Sequence, residues 1–224
     1  MTNKGLENLQ KRLDKKAKDI ESRGNRLRLS DGDVASIRIL QEAADFFVPS
    51  VHPVQDVSAK GKTFWRRFVC EGDGCRWCQK GLDVTERIYV WVWVSYILHK
   101  SPQDGKEWER VKNRAGATFY KEMIGAPRVL ETGIGKSRYI AMKFINMNAE
   151  YGTLIDRDYN WLRTGSGKED TAYDLIPTNL RKFYQEVPEL KDLEELIKSE
   201  SSSMTASKII NEEEIGSEDS GELF

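Results

Sequence analysis

The sequence predicts a mainly β protein, a small β-barrel core flanked by helices at both ends. Three observations carry this. Short alternations of apolar and polar residues recur between turn signals. Helical spacing of apolar residues marks the two ends of the chain, which flank these strands. All three cysteines fall within nine residues, after one expected strand and before the next.

Taken in order, residues 5–22 read as a helix. Leu6, Leu9, Leu13 and Ile20 share a narrow stripe, with Lys11, Lys15 and Lys18 on other faces. Gly24 and Asn25 close it, and 29–33 is a turn. Residues 34–40 alternate as a strand, and 63–69 form another. A cysteine knuckle occupies 70–81. Residues 86–97 alternate most clearly of all. A turn at Asp104-Gly105 leads to a return strand over 107–112. A short helix is expected at 119–123, a strand at 138–147, and shorter strands at 153–163 and 171–176. Thr178 is placed to cap a helix through Tyr184, and Pro188 suits the first position of another, 188–198. This divides the chain into a basic N-terminal helix (1–28), a core (29–187) with a metal subdomain at about 50–82, a C-terminal helix, and a Ser-rich linker with an acidic tail (199–224).

Net charge is −1, but it is unevenly spread. Residues 1–28 hold nine Lys or Arg against four Asp or Glu, while 189–224 hold three against eleven. A basic head and an acidic end point to charged partners, or else to solvated helix faces. No apolar run is long enough to span a bilayer, and the N-terminus lacks the apolar stretch of a secretory signal. The expected location is the cytoplasm, with no membrane partner.

The spacing Cys70-x4-Cys75-x2-Cys78 is the most specific feature. A C-x2-C pair wraps two thiolates around one metal, and Gly72 and Gly74 let the backbone turn tightly before it. An odd cysteine count argues against a disulfide framework. A closed structural zinc site takes four nitrogen or sulfur ligands. The fourth must come from His52 or His99, the two histidines in the chain. His52, expected in a loop before the strand that delivers Cys70, is favoured; His99 is the alternative. Three metal-free thiols remain the other reading. One structural zinc ion is the expected cofactor.

Within 86–97, Ile88, Val90, Val92 and Val94 form one face and Arg87, Tyr89, Trp91 and Trp93 the other. Flat rings stack on unpaired bases while cations follow phosphates. Arg66 and Arg67 sit between aromatic residues, and Tyr159, Trp161 and Arg163 share a face near Lys168. Together these favour single-stranded nucleic acid over duplex. The alternative is that Trp91 and Trp93 cover a second core. The tail carries Glu212, Glu213, Glu214, Glu218, Asp219 and Glu222, ends on Phe224, and should be disordered in isolation. It suits capture by a basic pocket in a partner, and it can also compete for the chain's own cationic groove.

An upstream His, then Cys70, then Cys75-x2-Cys78, inside an aromatic and basic β domain, resembles the zinc-containing single-stranded DNA-binding proteins of tailed phages, of the T-even type. Arg163-Thr-Gly-Ser-Gly167 followed by Tyr173 and Pro177 is similar to a stretch in diverged phage members. The ligand order matches; the gaps between ligands differ. The resemblance implies an OB-fold with an inserted zinc subdomain, and His52, Cys70, Cys75 and Cys78 as ligands. It implies self-association along DNA through a basic head containing Lys11, Arg12, Lys15 and Lys16. It also implies recruitment of replication or recombination proteins by the tail. RNA binding, or a zinc-ribbon protein-interaction factor, are the alternatives. Catalysis is not expected. Gly135-Lys136-Ser137 lacks the earlier glycine of a phosphate loop, and Asp156, Asp158 and Asp170 read as salt partners of nearby arginines.

Overall fold

A computed structural model gives the fold and describes residues 25–57, 63–113, 115–134, 139–166 and 170–200. Eight strands run in chain order: β1 (Val34–Ile39), β2 (Ser50–Val57), β3 (Thr63–Val69), β4 (Thr85–His99), β5 (Glu109–Lys112), β6 (Thr118–Gly133), β7 (Arg157–Thr164) and β8 (Ala172–Leu180). The helices are α1 (Arg76–Gln79), α2 (Tyr139–Tyr151) and α3 (193–200). The chain is mainly β, with few helices, and divides into two compact units. The first contains the described residues up to Phe46 and Ile88–Val187; the second contains Phe47–Arg87 and the described residues from Pro188. No helix among the described residues is long and apolar enough to cross a membrane.

In the first unit the strand order is β8-β7-β1-β4-β6-β5. The pairs β1–β4, β1–β7, β7–β8 and β5–β6 are antiparallel. The two ends of this path, β8 and β5, are not paired with each other, so the sheet is open where a closed barrel was expected. Val90, Val92 and Val94 of β4 face a core with Ile37 and Ile39 of β1. They do so because side chains alternate across a strand, and β-branched residues suit the pleated surface. Ile140, Phe144 and Met147 of α2 close that core.

In the second unit β2 pairs β3 over its whole length and pairs the start of β4 through Ser50–Glu86 and Val51–Thr85. Asp192 opens α3, its Oδ1 accepting the Glu195 N–H at 2.8 Å. The helix therefore starts beyond Pro188, at a better cap.

Other expectations fail for similar local reasons. Residues 138–147 read as an alternating strand, but with seven of the ten positions apolar the segment fits a helical period as well. The buried set 140, 144 and 147 selects the helical one. Residues 119–123 belong to β6, where β5 supplies a partner through Phe119–Val111 and Tyr120–Arg110. Thr178 caps no helix; it lies in β8 and its hydroxyl donates to the Asp158 carbonyl at 2.8 Å. The helix expected at 5–22 lies outside the described residues.

Candidate metal centre

The β2–β3 register sets His52 opposite Phe68 and Val51 opposite Val69, so Cys70 emerges at the end of β3 beside His52. His52 thus stands on a strand, not in the expected loop. The Cys70 N–H donates to the Ser50 carbonyl at 2.8 Å, anchoring the exit. Gly72 and Gly74 then take φ of 75° and 87°, values that side chains with a Cβ rarely adopt. The turn they make brings Cys75 to the start of α1 and Cys78 onto its single turn.

The ligand atoms of His52, Cys70, Cys75 and Cys78 all lie within 4.8 Å of one another. Cys70 Sγ and Cys78 Sγ are 3.5 Å apart; His52 Nε2 is 3.5 Å from Cys75 Sγ and 3.3 Å from Cys78 Sγ. A tetrahedral ion with metal–sulfur bonds of about 2.3 Å sets its sulfurs about 3.8 Å apart, and a nitrogen about 3.5 Å from each sulfur. The donors are close to that spacing. His52 Nδ1 faces the carbonyls of Leu82 and Asp83 at 3.2 and 3.1 Å. Those acceptors place the proton on Nδ1 and leave the Nε2 lone pair for a metal, the outer hydrogen bonding that orients a ligating imidazole. His52 is buried, as is Cys75.

Three sulfurs this close do not ionise alike. Burial opposes the Cys75 thiolate, but the N–H groups of Cys78, Glu71 and Trp77, with the Cys70 thiol, outweigh it and lower Cys75 to about 6. Cys78 is pushed up to about 11 by its hydrogen bond with Cys70, by burial and by the neighbouring sulfurs. A divalent cation held at the centre of the cluster would remove that mutual repulsion. The arrangement could hold one metal ion and presents four protein ligands to it. His99 is not part of it: its Nδ1 lies 3.0 Å from Asp33 Oδ2 and its Nε2 3.1 Å from Glu122 Oε2, with its ring stacked on Trp108 at 4.1 Å.

No family model, curated protein or solved structure matches this chain.

The expected stacking platform does not survive. Tyr89, Trp91, Trp93, Tyr159 and Trp161 are buried, none more than 7% exposed. The two-face reading of β4 is correct in parity: the valines face the core and the rings face the other way. The ring face is itself covered. The Arg26 guanidinium lies over Tyr89 at 5.2 Å, and Phe183 meets Trp93 edge-on at 5.8 Å. Tyr159 and Trp161 are on the valine side instead, because β7 pairs Ile37 with Tyr159 and Ala35 with Trp161. Arg163 is half-buried and donates to the Leu29 carbonyl. Arg87 is half-buried too. Lys168, the head residues Lys11, Arg12, Lys15 and Lys16, and the tail residues Glu212, Glu213, Glu214, Glu218, Asp219, Glu222 and Phe224 lie outside the described residues.

Arg66 and Arg67 are half-buried on β3, beside Trp65, which is 49% exposed. Trp77, between the knuckle cysteines, is an aromatic that the strand patterns did not point to. Its ring packs on Phe68 at 4.7 Å, with the Arg76 guanidinium at 4.2 Å and the Lys80 ammonium at 5.4 Å. Its signal is the run Cys75-Arg-Trp-Cys78-Gln-Lys80, where a ring and two cations are interleaved with the metal spacing.

Proposed function

We propose that the protein binds single-stranded nucleic acid, DNA in particular, through a zinc-stapled unit, and that it coats and protects strands exposed in replication, recombination or repair without catalysing a reaction. The donor set supports zinc: three thiolates and one imidazole in tetrahedral spacing suit that ion, and four protein ligands leave no position for substrate. The observations that carry the binding proposal are Trp65, 49% exposed on β3 next to Arg66 and Arg67 in the chain, and Trp77, half-buried with the Arg76 and Lys80 cations at its ring. A base stacked on an accessible ring gains about 1–3 kcal/mol whatever its identity, and the cations meet phosphates. The resemblance to phage single-stranded DNA-binding proteins points the same way. It extends the proposal to an OB-like first unit, to self-association through the basic head and to partner recruitment by the acidic tail.

The test is a titration of the full chain with oligo-dT and with duplex, each at two salt concentrations, following tryptophan emission. Preference for the single strand with quenching is expected. Trp65→Ala and Trp77→Ala should each weaken binding and reduce the quench. Equal affinity for duplex, or no change in either variant, refutes the proposal. An RNA oligomer in competition separates the RNA alternative. A second reading, protein binding, draws on Tyr139, Met142 and Ile145, three exposed apolar residues at helical spacing on α2.

A further inference from the structure

Where the chain leaves β8, the first unit has an open trough of about 660 Å³, within the size range of ligand sites. It is lined in part by Arg38, Leu180, Arg181, Lys182 and Phe183, and a smaller recess of about 60 Å³ lined in part by Tyr184 shares Arg38 and 181–183 with it. Its floor includes Arg38, which stands in a row across three strands. The β1–β4 register sets Arg38 opposite Trp93, and the β1–β7 register sets it opposite Asp158. Arg38, 3% exposed, donates from Nε to Asp158 Oδ1 and from Nη2 to the Arg181 carbonyl, both at 2.8 Å. Its guanidinium also lies 5.2 Å from the Phe183 ring. The buried cation is therefore held by its own acid, and it pins the segment that crosses above it.

The rim differs from the floor. The acids of the trough and the recess are engaged: Asp156 accepts two bonds from Arg157, Asp158 of the recess accepts from Arg38, and Glu42 accepts from the Thr153 hydroxyl. Among the described residues Arg181, its side chain 75% exposed, pairs with Asp158 alone, at 3.8 Å. Lys182 is exposed and forms no ion pair among the described residues. Phe183 turns inward, while Tyr184 beyond it is 80% exposed. Two neighbouring cations and an accessible flat ring thus follow one another along a segment outside any strand or helix.

We propose that this rim is a second contact site for single-stranded nucleic acid, with Arg181 and Lys182 meeting phosphates and Tyr184 stacking on a base. The site rests on the function proposed above. It concerns different residues in a different unit, so the two can fail separately. A polyanion with unpaired rings matches both parts of the rim; duplex offers no free base face to Tyr184.

The test uses the full chain with its metal and labelled oligo-dT, with anisotropy read from low to high salt. Each phosphate contact on a single strand contributes about 0.7 to the slope of log affinity against log salt. The double variant Arg181→Ala/Lys182→Ala should lower that slope by about 1.4, a loss of about 25-fold at 0.1 M salt that vanishes towards 1 M. Tyr184→Ala should lose about tenfold at every salt concentration. Thermal melts should match wild type, since all three side chains are exposed. On adding oligo-dT, Lys182 should become protected from acetylation. A wild-type protein that binds while the double variant keeps its slope and Lys182 stays reactive overturns the site and leaves the parent reading intact. A rim that binds an acidic peptide and ignores oligo-dT overturns it in favour of a protein ligand. No binding of oligo-dT by wild type removes both.

Discussion

Stripping metal from the His52–Cys70–Cys75–Cys78 cluster is expected to unfold residues 47–87 while the first unit keeps its structure. The buried side chains in that stretch, among the described residues, are Pro49, Val51, His52, Phe68 and Cys75. Val51 and Phe68, with the buried Leu193 and Ile197 of α3 in the same unit, contribute about 6–12 kcal/mol of apolar burial. A closed structural zinc site in a small domain is worth about 10–16 kcal/mol at neutral pH. An ion bound there would therefore contribute as much as the apolar side chains or more, and its loss should decide whether β2, β3 and the knuckle hold together. The first unit differs: among the described residues seventeen buried ones form its core cluster, and none of them belongs to the His/Cys cluster. Elemental analysis should find about one zinc per chain, as a single closed site requires. Hydrogen exchange with and without a chelator should then show protection lost over 50–57 and 63–87 and retained over 88–99 and 157–164. His52→Ala should reproduce the chelated pattern, since it removes a buried ligand and leaves the Leu82 and Asp83 carbonyls without their Nδ1 donor. Metal-free protein with full protection across 75–82 would refute the argument, because the thiols would then be packing groups only.

Other outcomes follow from individual residues. Trp161→Ala should cost about 3–5 kcal/mol in urea unfolding, since the ring is sealed in the core and stacked on Tyr173 at 5.2 Å; a stable variant that has merely lost oligonucleotide affinity would contradict its burial. Tyr159 donates its hydroxyl to the Leu154 carbonyl and is pushed up to about 12, chiefly by burial. A phenol raised in the folded state contributes stability that is complete below pH 10 and is lost as pH climbs through about 12. Absorbance at 295 nm should therefore show one tyrosine ionising only as the protein unfolds, and a fold that persists with every tyrosine ionised near pH 10 is the contrary result. Gly165→Ala should lower the melting temperature far more than Gly105→Ala. Both have positive φ, but a Cβ at 165 would stand 2.1 Å from the Asp170 carbonyl oxygen, and one at 105 meets nothing within 4 Å. The open position carries only the left-handed penalty of about 1–2 kcal/mol, and equal losses at the two sites would count against the contact.

Much of the architecture was legible because it depends on near neighbours in sequence. Alternation over 86–97 located β4 and its two faces, since the strand period is two wherever the strand lies. The cysteine spacing located the metal cluster, since thiols so close in the chain meet within one tight turn. The errors fall where a local pattern fits two structures. Residues 138–147 are apolar at seven of ten positions, and only the neighbouring core selects a helix over a strand from Tyr139 on. Residues 119–123 are in a strand because β5 lies beside them. Pro188 and Asp192 both signal helix starts, and the capping bond to Glu195 decided between them.

By itself the sequence determined the strand-rich fold, the parity of β4, and the three cysteines of a cluster that could hold a metal; the structure chose His52 over His99 as their fourth neighbour. Which face of each strand meets solvent was decided only by the tertiary structure. Tyr89 and Trp93 point away from the main core as their alternation requires, yet Arg26 and Phe183, both far from them in the chain, lie over them. Periodicity records which side chains share a face. Burial depends on what arrives to cover that face, and that is a property of the whole chain.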